Sequence, residues 1–164
     1  MTDFLAYFVD TYGTQLAILA ETTAALVLAG LIGLERELSD KPAGVRTHML
    51  VGAAASLLVG LSEVMTESVS VGAAETVRAD PIRVIEAIAT AVAVLGAGTI
   101  LRPDGDARVE GLTTAASLFF AAGIGIACAL DQYVVAAAAT LLVLLTLRVV
   151  GWLEHRSTRG GSDP

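Results

Sequence analysis

Residues Gly111–Leu130 read GLTTAASLFFAAGIGIACAL, twenty consecutive positions without a charged side chain. A helix rises about 1.5 Å per residue, so this run extends about 30 Å, the thickness of a bilayer's hydrocarbon core. No water is available there to satisfy backbone polar groups, and a helix satisfies them within one segment. Working outward, similar stretches recur. Towards the C-terminus, Gln132 to Leu153 is apolar apart from Arg148. The connection between these two is so short that they are expected to form a tight antiparallel hairpin. Towards the N-terminus lie Pro81–Leu101, with Arg83 and Glu86 near its start, then Thr47–Glu63, then Leu16–Leu34, interrupted by Glu21. Composition agrees: 55% of residues are hydrophobic and 16% charged, against roughly 45–50% and about 25% in soluble domains. The expected fold is an all-α polytopic membrane protein with five transmembrane helices in a compact bundle at residues 15–153. Residues 1–14, with Phe4, Leu5, Phe8, Val9 and Tyr12 at helical spacing, read as an interfacial segment or an extension of span one. Residues 154–164 read as a disordered cytoplasmic tail.

Charge narrows the partners and sets the orientation. The net charge is -7 and there is no basic stripe, so nucleic acid is not expected as a partner. The start, Met1-Thr2-Asp3-Phe4, has no positive n-region and does not read as a cleavable signal peptide. The single Cys128 cannot form an intrachain disulfide and reads as packing. Arg36, Lys41, Arg46, Arg102, Arg108, Arg148, Arg156 and Arg159 fall on one side of the predicted topology, and Arg78 and Arg83 on the other. The positive-inside rule places the N-terminus outside the cell membrane and the C-terminus in the cytoplasm. Trp152 suits the inner interface. The lipid bilayer is then the first partner.

Gly52, Ser56 and Gly60 recur four apart on span two, and Ala89, Ala93 and Ala97 do so on span three. Small stripes let helices approach closely in lipid. At least one of the two is expected to be internal; the other leaves room for a homo-oligomer.

Ionisable residues within spans are costly and are site candidates. They fall into two groups, with no ionisable residue in the middle third of any predicted span. The outer group holds Glu21, Glu63, Asp80, Arg83 and Glu86. Glu21, Asp80 and Glu86 are candidate ligands for a hard cation such as Mg2+, which is often held through one or two carboxylates and water. The plainer reading is an Arg83–Glu86 ion pair, one helical turn apart, with Asp80 capping span three ahead of Pro81. No cofactor is otherwise required. The inner group gathers Glu35 and Arg36, then Gly44, Arg46 and Thr47, then Gly96 and Gly98, then Gly111, Thr113 and Thr114. Here Thr113 and Thr114 are expected to cap span four, and Glu35 to reach that helix end or pair with Arg46. Gly96-Ala97-Gly98 is a candidate break in span three. His48 stands alone and reads as a capping or interfacial residue, because no second His sits at ligand spacing. No nucleophile–base pair or phosphate loop marks an enzyme; Gly96-x-Gly98 lacks the third glycine and the strand of a dinucleotide site.

These residues carry a resemblance. Gly33-Leu34-Glu35-Arg36, Ala43-Gly44-Val45-Arg46-Thr47, Asp80-Pro81-Ile82-Arg83, Leu95-Gly96-Ala97-Gly98-Thr99-Ile100 and Gly111-Leu112-Thr113-Thr114-Ala115-Ala116 stand in the order and spacing of the MgtC/SapB family of membrane proteins. The resemblance implies a five-helix membrane domain linked to magnesium homeostasis. Family members were named as magnesium transport proteins. The best-known branch regulates other membrane machines, such as the F-type ATP synthase, and carries a C-terminal cytosolic domain. With Pro164 following a Gly/Ser tail, that domain is expected to be absent. The sequence departs from the family pattern at Ala87, where a Gln is usual, at Ala91 and Ala93, where glycines are usual, and at Phe119, which replaces Trp. The expected function is magnesium or ion homeostasis by sensing or by regulating a membrane-protein partner. A magnesium transporter or channel subunit and a non-catalytic oligomeric scaffold are the alternatives.

Overall fold

The computed structural model describes the backbone of residues 2–72, 80–100 and 111–159. Side chains are described for a smaller set, omitting most of 2–10, 67–72, Pro81, Val150 and 152–159. Arg78, Arg102, Arg108 and the side chains of Phe4, Leu5, Phe8, Val9, Trp152, Arg156 and Arg159 therefore lie outside the described residues.

Among the described residues there are five helices and no strand. They are α1 (Thr2–Leu38), α2 (Val45–Gly72), α3 (Pro81–Ile100), α4 (Leu112–Ala129) and α5 (Tyr133–Arg159). Four contain segments long and apolar enough to cross a bilayer: Thr11–Leu38, Val45–Thr66, Ile82–Ile100 and Leu112–Ala129. The apolar part of α5, Tyr133–Val149, is shorter. The protein is a polytopic helical membrane protein.

Local chemistry sets the helix ends. Asp80 caps α3, accepting the Ile82 N–H at 3.0 Å on Oδ1, and Pro81 follows where its missing N–H costs nothing. The α4–α5 hairpin turns on Asp131, whose φ is 57°. There the Gln132 N–H donates to Ala127 O at 2.8 Å and the Asp131 N–H to Cys128 O at 3.1 Å, satisfying carbonyls that the end of α4 would leave open. Of the two readings of residues 1–14, the helix takes the extension of span one from Thr2: α1 is continuous, because no proline interrupts it and Gly13 alone is a weak breaker. The first residues of the tail expected from residue 154 are helical, to Arg159, since a helix extends cheaply once formed.

The uncharged α4 is the hub. It packs against each of the other four helices, whereas α1 and α3, α2 and α5, and α3 and α5 do not touch among the described residues. One core layer joins α2, α3 and α4 through Ala55, Val59, Ile88, Val92, Leu118 and Ala122. The other joins α1, α4 and α5 through Ala25, Ile32, Ile124, Cys128, Ala136 and Val143. Cys128 is thus a packing residue.

Between the layers, α1, α2 and α4 meet almost backbone to backbone. A Cβ on Gly125 would run into the Gly52 carbonyl oxygen and lie 3.0 Å from Ala55 Cβ. A Cβ on Gly52 would lie 2.6 Å from Ala29 Cβ and 3.1 Å from Ala25 O. Lipid offers no hydrophobic drive for helix association, so such close approach is where the packing energy comes from. The Gly52–Ser56–Gly60 stripe is therefore internal, with Ser56 fully buried and Gly60 against Ile18. On α3, Ala89 is half-buried and Ala93 and Ala97 are exposed, so that stripe lies on the surface of the bundle.

Candidate functional site

The inner-group motifs converge around the α1–α2 connection. Gly33 lets the two helices cross: a Cβ there would lie 2.8 Å from Val45 Cα and 2.9 Å from His48 Cβ. Beyond the crossing, Arg36 turns back on its neighbour, and its Nε and Nη2 both reach Glu35 Oε2 at 2.5 Å. Both residues are buried. Adjacent residues on a helix do not naturally face each other. Burial compels the pairing, since either charge alone would be strongly destabilising. Ser39 Oγ–H donates to the other carboxylate oxygen at 3.1 Å. Glu37 points elsewhere, and its Oε2 accepts the Val45 N–H at 2.9 Å, capping α2. Gly44 leaves room for it, as a Cβ there would sit 2.6 Å from that oxygen.

His48 is buried between helices. It is 0% exposed and joins α2 to α4. Its Nδ1 lies 2.9 Å from Gly44 O and its Nε2 lies 2.9 Å from Ser117 Oγ, which is also 2.8 Å from Thr114 O. A carbonyl only accepts, so Nδ1–H donates to Gly44 O. The single Ser117 hydroxyl proton then has two acceptors in reach, His48 Nε2 and Thr114 O. With His48 neutral, Ser117 donates to Nε2; with His48 protonated, Nε2–H donates to Ser117, which turns its proton to Thr114 O. The arrangement is a buried polar lock that fixes α2 on α4. Ser117 and Glu37 carry parts of the site that the sequence alone does not single out. A His and a Ser 69 positions apart have no local signature; the buried polar pair emerges only once α2 docks on α4.

The α3–α4 junction is the second convergence. Gly111 caps α4 in a left-handed conformation, φ 97°, without a side-chain cap bond. A Cβ there would run into Thr99 O. Thr113 and Thr114 do not cap the helix as expected: the chain enters through the glycine, leaving Thr113 exposed and Thr114 buried in the core. Thr99 Oγ–H donates to Gly96 O at 2.7 Å, and Gly96 packs against Ala115. Gly98 is exposed with open space beside it, and α3 runs unbroken through the Gly96-Ala97-Gly98 triplet. Arg46 and Thr47 are not buried in the lock but lie beside it, and Glu35 pairs with Arg36 rather than Arg46 or the α4 terminus.

The outer-group residues separate. Glu21 is almost fully buried on α1 and shares a crevice with Glu63 of α2. Asp80 is occupied as the α3 cap. Arg83 and Glu86 are exposed on α3, and no ion pair joins them: Arg36–Glu35 is the one ion pair among the described residues. Because α3 does not touch α1, Glu86 and Asp80 are not gathered with Glu21. Among the described residues no group of three or more His, Cys, Asp or Glu is placed to hold a metal ion.

The gathered motifs are those of a known family. The MgtC family signature matches residues 23–156. The chain is 39% identical over 121 residues to the protein MgtC of Salmonella typhimurium, covering 74% of this chain and 47% of that protein. It is 34% identical over 145 residues to the protein SapB of Bacillus subtilis, covering 85% and 59%. It is 33% identical over 132 residues to YhiD of Escherichia coli, described provisionally as a magnesium transporter, covering 80% and 60%. The chain thus spans about half to three-fifths of the length of these relatives. No solved structure matches it. The signature takes in all five helices, and the chain belongs to the MgtC family.

Proposed function

We propose that the protein serves magnesium homeostasis as a non-catalytic sensor or regulator of a membrane-protein partner, with its N-terminus outside and its C-terminus in the cytoplasm. One observation carries the preference for regulation over conduction. The centre of the bundle is closed where Gly52, Gly125, Ala25, Ala29 and Ala121 bring three backbones together. Transporters place ion sites near the midplane, at broken helices with free backbone groups. Here α1, α2 and α4 pass the junction as unbroken helices. The residues around the lock that remain accessible, Glu37, Ser39, Asp40, Lys41, Arg46 and Thr47, offer charged and hydroxyl groups to a partner on the expected cytoplasmic side.

The alternative, a magnesium transporter or channel subunit, is favoured by the description of the Escherichia coli relative. It requires that junction to open. Purified protein in liposomes decides between them: no magnesium flux above empty vesicles is expected. Crosslinking and capture from native membranes at low and high magnesium should recover a partner whose yield changes with the ion. Magnesium flux abolished by Gly52→Leu would overturn the preference for regulation.

A further inference from the structure

A crevice of about 320 Å³ opens between α1 and α2 on the expected outer half of the bundle. Thr14, Ala17 and Gly60 line its walls, Glu63 stands exposed at its rim, and Glu21 lies at its floor. Glu21 is 9% exposed, and no described hydrogen bond or ion pair engages its carboxylate. Thr22 Oγ1 and Ser56 Oγ are buried without a hydrogen-bond partner. Contacts between Gly60 and Ile18 above, and between Gly52 and Ala29 below, place Glu21, Thr22 and Ser56 at the same level of the α1–α2 pair. Asp131, in the α4–α5 turn, adds a further negative charge within electrostatic range of Glu21.

Buried polar groups are almost always paired, with protein or with ordered water. An unpaired carboxylate at this depth is costlier still. Glu21, nine-tenths buried and unpartnered in a crevice that bears a second carboxylate, marks a space shaped for something absent from the chain itself. Two glutamates carry the charge that balances a divalent cation. Two carboxylates are too few for an all-protein cage, which suits an ion that keeps its water. A shell of six waters at about 30 Å³ each fills about 180 Å³, well within the crevice. On α2, two turns from Gly60, Gly52 is closed against α1 and α4.

We propose that this crevice is a binding site for a hydrated divalent cation, held by Glu21 and Glu63 with waters bridging to Thr14. The site deepens the sensing reading and rests on it: a cation enters, tightens the α1–α2 pair and goes no further.

The test is thermal unfolding of the purified full chain in detergent across a magnesium chloride titration, with choline chloride holding ionic strength constant. A saturable rise in melting temperature of about 5 °C or more is expected near hundredfold excess over the dissociation constant. Glu21→Gln should abolish that rise and, with no ion present, melt at or above the wild-type temperature, because it removes an unpaired buried charge. Glu63→Gln should shift the midpoint to higher magnesium by about tenfold or more, the loss of one charged contact of about 1.4 kcal/mol. No saturable rise in the wild type, or a full rise retained by Glu21→Gln, overturns the proposal. A rise lost in Glu21→Gln while partner capture stays independent of magnesium supports the site and overturns the regulatory reading, so the two fail separately.

Discussion

Replacing Gly125 by alanine adds one methyl group at the tightest point of the bundle. The new Cβ would fall on the Gly52 carbonyl oxygen and 3.0 Å from Ala55 Cβ. Both obstacles belong to α2, and the first is backbone, so no side chain can swing aside. The helices must separate by roughly 1 Å to restore ordinary contact, loosening the neighbouring Gly52–Ala29 contact as they do. Overpacking of this kind costs about 1–3 kcal/mol, and a backbone obstacle belongs at the upper end, about 3 kcal/mol. Against it stands the helix preference of alanine over glycine, about 1 kcal/mol. The net loss is about 2 kcal/mol, or about 4–8 °C in melting temperature for a chain of this size. Gly123→Ala is the internal control. It lies two positions away on the same helix, exposed, with nothing within 4 Å of its added methyl. Only the helix preference acts there, so it should raise the melting temperature by about 2–4 °C. Cys128, the sole cysteine and fully buried one turn from Gly125, provides the readout through a thiol-reactive fluorophore during a thermal ramp. If Gly125→Ala melts at or above wild type, or Gly123→Ala falls as far as Gly125→Ala, the close-packed junction is not what holds the bundle.

Two further outcomes test the lock. Ser117→Ala leaves His48 Nε2 buried without a partner and should cost about 1–3 kcal/mol; a double-mutant cycle with His48→Ala, read by the same thermal ramp, should return a coupling of about 0.5–3 kcal/mol, and additivity would show that the two do not act together. Arg36→Ala strands the buried Glu35 carboxylate and should cost about 3–5 kcal/mol, whereas the double change Glu35→Gln with Arg36→Met should restore most of it; a double variant as unstable as the single would show that the charges are not what matters.

The helices are legible in the sequence because each is a long apolar run between breakers. The spans expected at Pro81–Leu101 and Gly111–Leu130 form as Pro81–Ile100 and Leu112–Ala129. The residues of the lock are less legible. In a helix apolar on all sides, periodicity says little about which face meets which neighbour, so His48 reads as capping or interfacial and its burial between α2 and α4 goes unseen. The sequence offers Glu35 either the α4 terminus or Arg46, but the register of the α1–α2 crossing at Gly33 leaves both outside the pair and brings Arg36 back instead. The capping of α4 departs from expectation for a similar reason. Thr113 and Thr114 are good capping residues, but the approach of Thr99 O to Gly111 admits only a glycine at the entry. Glu21 stands out as an anomaly in the sequence itself. That it faces Glu63, and not Asp80 or Glu86, depends on α1 packing against α2 and never meeting α3.

The position of α4 in the chain bears on how the protein is made. The helix against which all others rest is the fourth to leave the ribosome. By then α1 and α2 can already hold each other, with Gly30 against Met49 and Gly33 against Val45. The third helix has much less to hold: its contact with α2 is limited, and most of its support comes from α4. Biogenesis therefore proceeds as a hairpin that waits with its glycine face uncovered, a loosely tethered third helix, and an arriving fourth that closes both. A chain halted before Gly111 would leave the Gly52 face of α2 without the helix that covers it, and one extended to Ala129 would already hold the α1–α2–α4 junction.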